Sequence, residues 1–153
     1  MDRAGGGLPF SEKEADDSTG FLLWQLTTLW QRAIAAALKP HGLTQVQFVL
    51  LASLLWLSDK EECVTQVRLA RHSKLDVMMT SQVLRSLELR GLILRRSHPT
   101  DTRARSLELT PSGRNVAVAT IPVVEEVDDV FFGAKGAHRN AFNRELRRLI
   151  SKV

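Results

Sequence analysis

The sequence predicts a mainly α-helical fold with a small β-wing, on three observations. Six stretches place apolar residues at helical spacing, each bounded by a capping residue, a glycine or a proline. Two short apolar runs, Leu92–Leu94 and Leu107–Leu109, flank the turn-rich HPTDT and have the look of paired strands. From Leu75 to Leu109 the order is amphipathic helix, glycine stop, strand, Arg-rich loop and return strand, the layout of a winged helix-turn-helix. At 153 residues with 44% hydrophobic residues, one domain can form a core without disulfides.

Residues 1–17, MDRAGGGLPFSEKEADD, mix Gly, Pro and acid with little to bury and are expected to be a mobile arm. A single domain then runs from 18 to 153. Its first helix, over 18–39, carries two apolar stripes, Leu22, Leu26, Leu29, Ala33 and Ala37 on one side and Leu23, Trp30, Ile34 and Leu38 on another. A surface helix of a monomer needs one stripe, so the second implies a cover from another subunit or from the C-terminal helices. Pro40 and Gly42 end it. Thr44 caps a second helix, Gln45 to about Leu57, with Phe48, Leu51, Ala52 and Leu55 at core spacing.

Thr65 caps a short third helix with Val67, Leu69 and Ala70 inward, and a turn at His72–Lys74 leads to a fourth helix beginning near Asp76. Gly91 stands where positive φ is needed to close that helix. The strands and their loop follow, so 44–110 forms the winged-helix region. Thr110 and Pro111 are an N-cap and a first-position proline, and the long fifth helix they open is expected to kink at Pro122. Gly133 and Gly136 break the chain. Phe142, Leu146, Leu149, Ile150 and Val153 give the last helix a narrow apolar seam, so that 18–39 and 111–153 are read as dimerisation helices.

Charge points to the partner. Val64–Arg114 holds ten basic and four acidic residues, a net +6 in a chain of +4, which leaves −2 for the remainder. Basicity confined to one module that also carries a reading helix and a wing predicts binding to double-stranded DNA. In the fourth helix Thr80, Val83, Leu84 and Leu87 face inward, leaving Met78, Ser81, Gln82 and Arg85 outward. Gln82 can bridge the N6 and N7 edge of adenine and Met78 can pack on a thymine methyl. An Arg at a hairpin tip can enter a narrow minor groove, for which Arg103 is the first choice, with Arg105 beside it. A free Asp101 would repel phosphate, so it is expected to orient Arg103 or Arg105. Arg95 and Arg96 suit phosphate contacts, and Thr65, Gln66, Lys74 and Val77 complete the candidate DNA-binding set.

Four segments together resemble the MarR family of winged-helix transcriptional regulators: LTQVQF (43–48), TQVRLA (65–70), LELRGLILR (87–95) and DTRARSLELTPSGR (101–114). The resemblance spans roughly Ser18 to the end. It implies a homodimer with interlocked N- and C-terminal helices, two winged helices spaced to meet successive major grooves, and, as in many members, release of DNA on binding a small aromatic or phenolic effector. Val77, Met78 and Met79 stand where many relatives carry small or polar residues, and Gln82 where an Arg is frequent, so the resemblance implies no base preference.

Other chemistries find little support. Cys63 lies between Glu62 and Val64, and the neighbouring Glu61 and Glu62 disfavour a thiolate, so it is read as a small packed residue and not a redox sensor. His41, His72, His98 and His138 have no ligand spacing, and no cofactor or structural metal is expected. His72 and His98 sit where they can touch phosphate or remain solvated. Trp24, Trp30 and Trp56, with His41, are candidates to line an effector pocket, the alternative being plain core. No nucleophile–base set, phosphate-binding loop or metal box nominates an enzyme. No apolar run is long enough to span a bilayer, and with one cysteine and no signal-peptide pattern the expected location is cytoplasmic. The alternative function is a winged helix used for protein interaction without specific DNA binding, which a neutral or acidic wing would have favoured.

Overall fold

The computed structural model of the protein describes residues 9–12 and 14–153. Most of the expected N-terminal arm lies outside these residues; of the remainder, Ala15–Asp17 form one 3-10 turn that leads into the first helix. The elements are α1 (Thr19–Leu38), α2 (Gln45–Ser58), β1 (Val64–Thr65), α3 (Gln66–Ser73), α4 (Val77–Leu89), β2 (Ile93–Ser97), β3 (Arg105–Leu109), α5 (Pro111–Phe132) and α6 (Ala137–Ile150).

Capping chemistry sets these boundaries. Ser18 accepts from the Phe21 N–H, and Thr44 forms a reciprocal capping box with Gln47. Thr65 accepts from Arg68, Asp76 from both Met78 and Met79, and Thr110 from Gly113. At the other end of α4, Gly91 adopts φ +69° and the Leu92 N–H returns to the Leu87 carbonyl at 2.9 Å, which turns the chain directly into β2. Lys74 takes the same left-handed role after α3, with φ 55°, and is the one positive-φ residue other than glycine among the described residues.

The wing is a three-stranded antiparallel sheet of order β1-β3-β2, where a two-stranded hairpin was expected. Thr65, as the N-cap of α3, holds an extended backbone (φ −91°, ψ 161°), and with Val64 it pairs with β3 in the register Val64↔Leu107 and Thr65↔Ser106. The cap of the first helix-turn-helix element therefore also joins that helix to the wing. On the other side β2 pairs with β3 from Ile93↔Leu109 to Ser97↔Arg105.

The core is centred on α2, which touches α1, α3, α4, α5 and the sheet. Phe48, Leu50, Leu51, Leu54 and Leu57 are all buried, a wider face than the expected Phe48, Leu51, Ala52 and Leu55; Ala52 and Leu55 lie at its margin. A helix covered from several directions needs no polar stripe, which is why a single-stripe reading falls short here. α5 runs through Pro122 as one helix from Pro111 to Phe132. It is tied to α1 by Trp30, whose Nε1–H donates to Asp128 Oδ1 at 2.8 Å. Trp30, Phe132 and Phe142 continue as an aromatic series with centroid separations of 6.1 and 5.9 Å, linking α1, α5 and α6.

At the apex the packing stops. No residue of α6 is buried in the protomer, and Phe142, Leu149 and Ile150 are exposed. Leu22, Leu23 and Leu29 on α1 are exposed as well, although Ile34 and Leu38 at the other end of that helix are fully buried.

Candidate nucleic-acid interface

The reading face is built on α4. Thr80, Leu84 and Leu87 are buried against the core, and this rotation turns Val77, Met78, Gln82 and Arg85 to solvent with Ser81 half-buried. Met78 is 74% exposed. Met79, which the sequence pattern did not single out as a contact, is also exposed and widens the apolar part of the face. The Asp76 carboxylate fixes where this face begins, accepting from the Met78 and Met79 N–H groups at 2.9 and 3.0 Å, while its carbonyl accepts from Thr80 Oγ1 at 2.8 Å.

The wing tip lies against the start of α3. Thr65, Gln66 and Val67 face His98, Asp101, Arg103, Ala104 and Arg105 across an open cleft of about 420 Å³. Arg103 and Arg105 are exposed, and among the described residues neither guanidinium has an acidic partner. Asp101 does not orient an arginine side chain as expected. Its Oδ1 accepts the Arg103 backbone N–H at 3.0 Å, so it sets the turn that carries Arg103 and leaves the guanidinium free.

The other wing cations differ from one another. Arg95 is half-buried and donates through Nε and Nη2 to Glu88 Oε2 at 2.9 and 2.7 Å. This bond and the Arg95 charge hold the Glu88 carboxyl below the usual carboxylate range, against a smaller opposing effect of burial. Arg95 therefore ties β2 to α4 through Glu88. Arg96 is exposed on the neighbouring strand position, with Nε 3.0 Å from Glu108 Oε2 across the β2–β3 pair. Lys74 is exposed in the turn between α3 and α4. On the far side of α3, Arg68 is tied to Glu61 at 2.6 Å.

The four candidate effector residues are not brought together. Trp24 is exposed near the start of α1, whereas Trp30, six residues on and so about 120° around the helix, faces α5. Trp56 is exposed at the end of α2 with the Lys60 ammonium 4.4 Å from its ring, and His41 is exposed after α1. An apolar groove of about 330 Å³ lies instead between α1 and α5, lined by Ala33, Ala37, Val123, Val127, Val130 and Phe131 with Glu126 at its edge. Cys63 is half-buried with a free thiol, immediately before β1. Among the described residues no group of three or more His, Cys, Asp or Glu is placed to hold a metal ion.

A helix-turn-helix whose second helix presents an exposed face beside a basic wing is a DNA-reading architecture. The ArnR1-like winged-helix domain matches residues 40–128, the segment from the end of α1 through most of α5. The HTH-type transcriptional regulator YdcH of Bacillus subtilis is 46% identical over 117 residues, covering 76% of this chain and 80% of its own. The chain belongs to the MarR family of winged helix-turn-helix transcriptional regulators. Two solved structures share the fold. A mutant MarR of Escherichia coli, complexed with operator DNA, aligns with a TM-score of 0.76 at 20% identity, covering 85% of this chain and 91% of its own. BpsR of Bordetella bronchiseptica, whose DNA binding is regulated by 6-hydroxynicotinic acid, aligns with a TM-score of 0.80 at 24% identity, covering 90% and 96%. This MarR-family chain is accordingly a DNA-binding transcriptional regulator and not an enzyme.

Proposed function

We propose that this regulator is a homodimeric repressor that binds a pseudo-palindromic operator and is released from it by a small-molecule effector. The observation that carries the dimer is α6, an amphipathic helix with no fully buried residue in its own protomer, beside a half of α1 whose Leu22, Leu23 and Leu29 are uncovered. A second copy offers the same surfaces in return and covers both under two-fold symmetry. Two α4 faces then project from one side of the dimer, each satisfied on an inverted half-site.

Within a half-site, Gln82 and Met78 read base edges, with Val77, Ser81 and Arg85 flanking them. Arg103 enters the adjacent minor groove with Arg105 behind it, and Arg96, Lys74, Thr65 and Gln66 meet phosphates. The site works in the cytoplasm, where operator DNA is reached; no single helix among the described residues is long and apolar enough to cross a membrane. Effector control is supported by BpsR, whose DNA binding is regulated by 6-hydroxynicotinic acid.

Footprinting on a fragment selected from a random pool tests this reading. Two symmetric protected half-sites about 10 bp apart, centre to centre, are expected. A single asymmetric half-site contradicts it.

A further inference from the structure

The wing tip carries a polar device that the DNA-contact set does not use. His98, the half-buried residue after β2, has its Nδ1 3.2 Å from the Thr100 backbone nitrogen and 3.1 Å from that of Asp101. Both of those groups are N–H donors, so Nδ1 must be an unprotonated acceptor and the ring must be the neutral Nε2–H tautomer. Asp101, placed by this contact, accepts the Arg103 N–H through Oδ1 at 3.0 Å and the Ala104 N–H through its carbonyl at 3.1 Å. The Ala104 carbonyl in turn accepts the His98 N–H at 3.2 Å and closes the tip. A chain of hydrogen bonds thus runs from the imidazole to the backbone of Arg103.

We propose that neutral His98 is the positioning residue of the wing, holding the Thr100–Arg103 turn in the form that presents Arg103 to DNA, and that protonation of its ring releases this turn. Thr100 Oγ1 also lies 3.3 Å from Nδ1 and is the one neighbour there able to accept a proton from it; a proton on Nδ1 therefore turns the ring from acceptor to donor, and the two backbone bonds from Thr100 and Asp101 are lost. The titratable and charged groups facing His98 are Asp101, Arg103 and Arg105 on the wing, whereas the α3 residues across the cleft, Thr65, Gln66 and Val67, bring no charge.

This rests on the proposed minor-groove role of Arg103, and the test separates the two. DNA affinity of the full chain for its selected fragment is measured at pH 7.5 and pH 5.5, at one salt concentration, for wild type, His98→Asn, His98→Ala and Arg103→Ala. Amide exchange at Thr100, Asp101 and Arg103 is followed in the free protein over the same range. The Asn side-chain oxygen accepts the same two N–H groups and does not titrate. Wild type is expected to lose affinity about tenfold at pH 5.5, in the range of one positioned contact, together with amide protection at the tip. His98→Asn should keep both at either pH, and His98→Ala should be weak at both. Arg103→Ala should be weak and lose the pH-dependent step. A pH dependence that persists in His98→Asn, or tip amides that exchange freely at pH 7.5, overturns the proposal. Wild-type affinity in Arg103→Ala at pH 7.5 overturns the wing-contact reading itself.

Discussion

Arg95 on β2 and Glu88 on α4 are joined through one carboxylate oxygen that accepts two guanidinium N–H groups, at 2.9 and 2.7 Å. The pair lies seven residues apart across the Gly91 turn and bridges α4 to β2. The pair thus ties the end of α4 to the wing.

Its pH dependence has a definite sign. The folded-state pKa of Glu88 is depressed by Arg95, so the pair stabilises the fold above the ordinary carboxylate range and the contribution is lost as pH falls through the depressed value. Glu88→Gln should cost roughly 1 kcal/mol or less near neutrality, since the pair is partly solvated. The difference from wild type should shrink as the pH falls below the ordinary glutamate range and vanish only below the depressed folded-state value. Denaturant titrations at several pH values check both.

Gly113 in the first turn of α5 is required by space. A Cβ there would sit 1.8 Å from the Leu92 carbonyl oxygen, a backbone atom at the root of β2. Gly113→Ala should destabilise by about 1–3 kcal/mol or more, as overpacking does. Thermal unfolding reads it directly, and an unchanged melting temperature would mean that α5 can shift off the wing.

Deleting residues 142–153 should leave the winged-helix head folded, because α6 buries no residue in the protomer. The same deletion should abolish the dimer and, with it, operator binding. Sedimentation shows the first loss and a DNA titration the second; a truncated chain that still sediments as a dimer contradicts the interface.

Arg103→Ala and Arg96→Ala should behave differently. Loss of a positioned groove contact at Arg103 should cost roughly 1–3 kcal/mol and change preference in the half-site flanks, whereas Arg96→Ala should weaken all sequences alike. Arg95→Ala should show its main effect on stability through Glu88. Affinities on a panel of single-base variants distinguish the three.

Much of this was legible in the chain because caps announce themselves. Thr44, Thr65, Asp76, Gly91 and Thr110 each mark a boundary by local chemistry, and the observed helices start and stop there. What stayed hidden depends on distant partners. β1 is two residues whose extended shape comes from capping α3 and whose pairing comes from Leu107 and Ser106, far along the chain. The breadth of the α2 core depends on how many elements surround it. The pairing of Arg95 with Glu88 stayed hidden because nothing local shows Glu88 folding back to meet it. Asp101 was placed beside Arg103 correctly, but a carboxylate within two residues of an amide can serve the backbone as readily as the side chain.

The most direct measurement of the central claim is the ratio of affinities for the best selected fragment and for random DNA, both titrated with the full-length chain at one fixed salt concentration. A two-fold regulator reading base edges through Gln82 and Met78 predicts a ratio of about a thousand or more. It also predicts that Gln82→Ala lowers the ratio by relaxing one base pair in each half-site. A ratio near one would contradict sequence-specific reading by α4 and leave only the electrostatic attraction of a basic wing for a polyanion.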